Sequence, residues 1–547
     1  MVRENLTLSE QELVEYVENK AASRRCDRST SARNAEQVRE AESEIADAYA
    51  RILSDPSYRR FPVSQESHPY RGPTLLVLPR LVKPSADKSI LAHLTCQLRH
   101  LRANGFDALL LGVVDKQSLN VYLEEYDDGE LVPHVNTHGY WVSGDEGVDP
   151  LLGTELEYRE LAQECKRSRI EMIQDTVYAT LGYLPQISRF SANRQHQRVP
   201  SVKTGKTQAS LGNTESMLVQ PWSGAFDEKM DRDDLSPEAF AKALVSCQSS
   251  CPYDLPRPNL YDTQTIEVVR SRTNWLENLA GVRARRIDMA KHLPITALTS
   301  IIEPSDGSAD AWVLLEWWST TYRDLCFAAF VSEREKGRVY LFDFPLAVAA
   351  QDIFIRENSF ISIVQRLQRE RTRWGVDLRQ LIPAVVDHDK FFKPVFNGTP
   401  RSLAATVVMH VFATFLSANA PVVYVGFDDA RAGVPEHVDY SSYSERLTRR
   451  TVSKLIDLEQ ENSPAVPLTE FFRLLRAHPF VSHWDGEAIE ISGDVNYLVL
   501  SRCYWDPKRR QQRKIQAEFS REALPREKSV DILYRYGAGP SVTISSI

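Results

Sequence analysis

Eight short apolar runs recur between residues 74 and 427: "TLLVLP", "DALLLGVV", "IEMIQDTV", "ARRID", "AWVLLEW", "GRVYLFDF", "IPAVVD" and "PVVYVGF". Runs this short and this apolar suit strands covered on both faces, the condition of a parallel sheet wrapped in helices. Most are preceded by a helical pattern. Leu91, Leu94, Leu98 and Leu101 share one face that stops at Gly105 before the second run, and "TQTIEVVRSRTNWLENLAG" and "SLAATVVMHVFATFLSANA" lead into later ones. Eight such units over about 350 residues predict an α/β fold of the closed (β/α)8 TIM barrel type rather than an open doubly wound sheet.

The chain is longer than one such barrel, and the surplus falls in three places. Residues 1–70 are charged, with apolar residues at helical spacing in "LVEYVE" and "IADAYARIL", and read as a helical N-terminal extension. After the third strand, residues 184–254 are rich in Ser, Gln, Gly, Pro and charge, which predicts a small inserted domain in place of a barrel helix. Residues 478–547 turn to alternating segments such as "AIEISGDVNYLVLSRCYW", predicting a C-terminal all-β sandwich domain. The catalytic barrel would then occupy residues 71–183 and 255–477.

Composition excludes several function classes. A net charge of -8 opposes a nucleic-acid binder that works by neutralising phosphate, and the one dense basic run, "KRRQQRK", reads as a solvated loop. Seven scattered cysteines without CxxC pairs predict neither a disulfide framework nor a zinc site. No apolar run reaches membrane-spanning length and the first residues lack a signal-peptide core, so a cytoplasmic location is expected.

In a (β/α)8 barrel, chemistry sits where strands end. "ARRID" ends in Asp288, "AWVLLEW" carries Glu316, and "IPAVVDHD" ends in Asp387, His388 and Asp389. Acids after strands four, five and seven would converge on one mouth. Retaining glycoside hydrolysis needs a carboxylate nucleophile and a carboxylic acid donor about 5 Å apart. The apolar and aromatic neighbours of Glu316 in "LLEWW" are expected to favour its protonated form. Taken alone, Asp288 reads equally well as a helix N-cap.

These segments resemble the α-amylase family, glycoside hydrolase family 13. "ARRIDMAKH" is similar to its G-x-R-x-D-x-x-K-H segment, with Ala284 at the glycine; "LLEWW" resembles its acid/base segment and "VVDHD" its histidine-aspartate segment. "HGYWVSGDEGVDPLLGTELEYRELAQECKRSRIEMIQDTV", "RPNLYDTQTIEVVRSRTNWL" and "LFDFPL" extend the likeness over residues 73–478. The resemblance implies Asp288 as nucleophile, Glu316 as acid/base and Asp389 as transition-state stabiliser. It also implies sugar contacts by Tyr140, Trp141 and His388, a nucleophile-orienting role for Arg286, and Lys291 and His292 at the leaving-group subsite.

The third-strand segment departs from the family's D-x-x-x-N-H: Asp175 is kept, but Ala179 and Thr180 replace the asparagine and histidine, and Gly144 stands where an aspartate is common. Alanine offers no oxygen to the calcium that the family's asparagine holds, so no cofactor is expected. Two functions follow from the resemblance. One is a retaining α-glycosidase or transglycosylase acting on an α-linked oligosaccharide, a disaccharide or a glycosylated metabolite, with no nucleic-acid or membrane partner and with a homo-oligomer allowed. The other is a catalytically degenerate barrel used for carbohydrate binding or assembly.

Overall fold

The computed structural model of the 547-residue chain describes residues 43, 45–54, 72–82, 84, 87–117, 121–125, 131–135, 139–143, 146–180, 190–191, 218–219, 235–249, 257–258, 260, 263–303, 311–332, 339–385, 400–424, 465–481, 489–521, 532–534 and 541–546. All eight apolar runs meet a strand of one parallel sheet, the seventh only at its first residue, Ile382: β1 (Thr74–Val77), β2 (Ala108–Leu111), β3 (Glu171–Val177), β4 (Ala284–Asp288), β5 (Trp312–Leu315), β6 (Val339–Phe342), β7 (Leu381–Ile382) and β8 (Val422–Tyr424). Their spatial order is β7-β6-β5-β4-β3-β2-β1-β8. The two edges meet: the Val422 amide donates to the Pro383 carbonyl (2.9 Å), and the Asn419 side chain donates to the Leu381 carbonyl (2.7 Å). The fold is a (β/α)8 barrel.

Helices alternate with these strands. In chain order they are α1 (residues 45–54), α2 (Ile90–Ala103), α3 (Glu155–Ser168), α4 (Pro237–Ser249), α5 (Thr263–Ala280), α6 (Ile295–Ile302), α7 (Tyr322–Ser332), α8 (Phe344–Phe354), α9 (Phe360–Trp374), α10 (Pro400–Phe415) and α11 (Ala465–Ala477). The predicted leucine face of α2 is buried, and the helix ends where expected, with Gly105 at φ 100°. A Cβ at Gly105 would lie 2.6 Å from the Phe472 Cβ of α11, so both backbone angle and packing demand glycine there.

Two elements depart from the sequence reading. An antiparallel hairpin, Val121–Glu125 with Leu131–Val135, stands between β2 and α3 and pairs with residues Phe190–Ser191. Within "KRRQQRK", Gln511 to Lys514 lie in a strand, and the turn before them is held by the Asp506 carboxylate, which accepts from the Lys508 and Arg509 amides. The described C-terminal strands are β9 (Glu490–Gly493), β10 (Tyr497–Asp506), β11 (Gln511–Ser520), β12 (Ile532–Tyr534) and β13 (Ser541–Ser546). They form one antiparallel sheet in the order β9-β10-β11-β13-β12. Its apolar face packs on the barrel's helices, with Phe519 ring-to-ring with Phe354 of α8 and Phe412 of α10.

Candidate active site

Successive residues on a strand face opposite ways, and "ARRID" shows what that does to adjacent arginines. Arg285 turns outward into the helical layer, where it pairs with Glu277 of α5 (2.9 Å) and donates to the Tyr178 hydroxyl (3.1 Å). Arg286 turns inward. In register, Arg286 lies beside Asp175 of β3 and Leu314 of β5, and Asp288 beside Val177. Parallel pairing thus sets three acids around one guanidinium. Arg286 Nη1 donates to both Asp175 oxygens (2.8 and 2.7 Å) and to Asp288 Oδ1 (2.8 Å), and Nη2 is paired with Glu316 Oε1.

The cap reading of Asp288 fails in this geometry. The turn after β4 is a 3-10 helix, Ala290–His292, whose cap residue is Met289, with no side-chain capping bond. Met289 holds a left-handed backbone (φ 49°), a conformation that costs a non-glycine residue energy and recurs at functional sites. That twist aims the Met289 amide at Glu316 Oε2 (2.9 Å). Glu316 is in turn tied by its backbone to β4 and the turn after it, its amide donating to the Ile287 carbonyl (3.0 Å) and its carbonyl accepting from the Ala290 amide (3.1 Å). The indoles beside Glu316 in sequence do not supply its polar contacts: the Trp317 Nε1 donates to Asp324 (2.7 Å), while Arg286 and Met289 hold the carboxylate.

Burial sets the electrostatics. It raises Asp175 above the usual carboxylate range to about 6, against the opposing pull of Arg286. Burial would lower Arg286, but the carboxylates of Asp175 and Glu316 reverse this and hold the guanidinium well above its ordinary value. Burial, reinforced by the charge on Asp175, pushes Tyr140 well above 10, so its hydroxyl is neutral and donates to Asp175 Oδ2 (2.8 Å) while accepting from Arg286 (3.2 Å).

With a folded value near 6 and an unfolded value of about 4, Asp175 contributes stability that is complete at low pH and lost as pH rises through the folded value. Asp175→Asn is neutral throughout and lacks this change. Urea unfolding at stepped pH is therefore expected to show wild-type stability, relative to the Asn variant, falling between about pH 4 and about pH 6 and levelling above it. A relative stability that climbs across that window would contradict the assignment.

The remaining expected site residues fall into three groups. Tyr140 joins the cluster, its ring 5.7 Å from the Arg286 guanidinium carbon, and Trp141 next to it is buried. Lys291 and His292 are buried and bonded within the protein: Lys291 Nζ lies between Asp324 (2.5 Å) and the Trp318 carbonyl (2.9 Å), and His292 Nδ1 is 2.8 Å from the Cys247 carbonyl. His388 and Asp389 lie outside the described residues, as does Gly144.

Sequence reasoning passed over Asp324 and Cys247, and kept Asp175 without placing it in the site. Asp324 joins Lys291 from the segment after β4 to Trp317 from the segment after β5, so one buried carboxylate ties the two loops that carry Asp288 and Glu316. A carboxylate at the start of a helix on an acidic chain carries no mark of that role. Asp175 did carry one, two residues from the end of an apolar strand. Ala179 and Thr180 are buried, and among the described residues no group of three or more His, Cys, Asp or Glu side chains could hold a metal. Ala179 brings no side-chain oxygen to the position where the resemblance implies a calcium ligand.

No protein-family model matches this chain. No curated protein matches it either. Solved structures do. An α-amylase from Geobacillus thermoleovorans, complexed with acarbose, is similar at TM-score 0.58 and 15% identity, covering 88% of this chain and 99% of that one. An α-amylase from Malbranchea cinnamomea is similar at 0.56 and 17%, covering 82% and 84%. A cyclomaltodextrin glucanotransferase with a three-domain ABC distribution is similar at 0.58 and 14%, covering 87% and 99%. With sequences this far apart, the likeness is one of architecture: the chain has the fold of α-amylases and cyclomaltodextrin glucanotransferases.

Proposed function

We propose that the protein is a retaining α-glycosidase or transglycosylase. Asp288 attacks the anomeric carbon while Glu316 gives its proton to the glycosidic oxygen, leaving a glycosyl ester on Asp288 and a free leaving-group alcohol. Glu316, now a carboxylate, takes a proton from water or from a sugar hydroxyl, whose oxygen displaces Asp288 at the same carbon and regenerates the enzyme. Asp389 stabilises the positive charge that develops on the ring, and His388, Tyr140 and Trp141 hold its hydroxyls and face. Lys291 and His292 shape the segment beside the leaving group.

One observation supports this reading above the others: Arg286 gathers Asp288 and Glu316 from the ends of adjacent strands onto a single guanidinium. A shared guanidinium keeps two carboxylates on the scale of the separation of about 5 Å that a retaining pair needs. Its charge-assisted bond to Asp288 favours the ionised, oriented form a nucleophile requires. Both contacts of Glu316, with Arg286 and with the Met289 amide, suit the carboxylate it becomes after giving up its proton. The acarbose complex and the glucanotransferase among similar folds favour an α-linked oligosaccharide as substrate, with a disaccharide or a glycosylated metabolite in the same chemical class.

The test is turnover of aryl α-glucosides and maltooligosaccharides by wild type and Glu316→Gln. The Gln variant is expected to lose about 10²- to 10⁴-fold on maltooligosaccharides, and less on aryl glucosides, whose leaving groups need little protonation. Wild type no faster than the Gln variant across the panel would favour the degenerate, binding-only barrel.

A further inference from the structure

The N-terminal extension reaches the segment that follows β4 through Tyr49. Helix α1 buries Tyr49 and Leu53, and the Tyr49 ring packs edge-on against Phe327 of α7 (5.4 Å), the helix that follows the Glu316 strand. Its hydroxyl does more than pack. It donates to Gln248 Oε1 of α4 (3.0 Å) and accepts from the Ile295 amide (3.3 Å). Ile295 is the first residue of α6, and the first amides of a helix have no partner within it. The residue in the capping position is Pro294, which makes no side-chain capping bond. A tyrosine almost 250 residues upstream in sequence therefore supplies the acceptor.

The segment held this way runs from Met289 to Ile295, and its polar ties begin at the site and end on α4 and α1. Met289 donates to Glu316, Lys291 pairs with Asp324, and His292 contacts the carbonyl of Cys247, the residue before Gln248. Tyr49 closes this loop at its far end, clamping the segment between α4 and α7. We infer that α1 is a positioning element of the candidate site, with Tyr49 fixing the segment that leaves the nucleophile strand. The inference rests on the proposed glycosidase reading for its effect on rate. Its effect on the segment's stability stands apart from that reading.

Two measurements on the full chain test it. Tyr49→Phe keeps the ring against Phe327 and removes only the hydroxyl; Gln248→Leu removes the hydroxyl's other partner and serves as the second variant. Hydrogen exchange over residues 290–298 is expected to speed up in both, with the global unfolding midpoint little changed. Steady-state kinetics are expected to show Tyr49→Phe losing about three- to tenfold in kcat/KM on maltotriose, the scale of one hydrogen bond, and less on an aryl α-glucoside that places no sugar beyond the cleaved bond. Unchanged exchange in both variants overturns the inference. Equal losses on the two substrates, matched by a lower unfolding midpoint, overturn it too, because a purely stabilising role predicts that. Faster exchange in both variants, with a wild type that turns over no α-glucoside, sustains the clamp and sinks the proposed activity instead.

Discussion

Asp288→Asn is expected to lower kcat/KM by about 10⁴-fold or more on every α-glucoside that wild type cleaves, with the protein still folded. The amide oxygen of asparagine can accept the bond from Arg286 Nη1 that Asp288 now accepts, so the cluster keeps its geometry. What is lost is the negative charge that attacks the anomeric carbon. Because no glycosyl ester can form, aryl glucosides with good leaving groups should be no better spared than maltooligosaccharides, unlike the pattern expected of Glu316→Gln. Parallel kinetics on both substrate types and an unfolding curve check this. A loss below tenfold would remove Asp288 from the chemistry.

Arg286→Leu is expected to cause the largest loss of stability of any single change at the site, about 3–5 kcal/mol, together with loss of activity. The side chains of Asp175, Asp288 and Glu316 are all at most one-tenth exposed, and Arg286 bonds to each of them. Without the guanidinium, these buried carboxylates repel one another and at least one must take up a proton. Arg286→Lys separates charge from shape. One ammonium cannot present the fork of donors that spans carboxylates on three strands, so the Lys variant should recover part of the stability and little of the activity. Urea unfolding and turnover, measured on both variants, decide this; a fully active Lys variant would show that charge alone suffices.

Much of the architecture could be read from pattern, and the reason is burial. A strand covered on both faces has little freedom in composition, so "TLLV", "ALLL" and "VVY" stand out, and acids at the ends of "ARRID" and "AWVLLEW" stand out against them. The hairpin at Val121–Glu125 was missed because "VYLEE" and "LVPHV" are mixed in polarity and carry no such signal. Contacts across long sequence separations left no local trace. Nothing in "IADAYARIL" marks Tyr49 as a cap for α6, and nothing in "YRDLCF" marks Asp324 as the anchor of Lys291. At a strand end, side chains diverge, and Trp317 turns to Asp324 while Glu316 turns to Arg286.

The most direct test of the account is to trap the intermediate. A fluorinated α-glucosyl fluoride forms the glycosyl ester and then hydrolyses slowly, so the ester accumulates where the nucleophile is. Incubating the wild type with it and mapping the peptides by mass spectrometry should place one hexosyl adduct on the peptide spanning Asp288, absent in Asp288→Asn. An adduct on a different carboxylate, or none in a wild type that cleaves α-glucosides, would contradict the assignment of Asp288 as nucleophile.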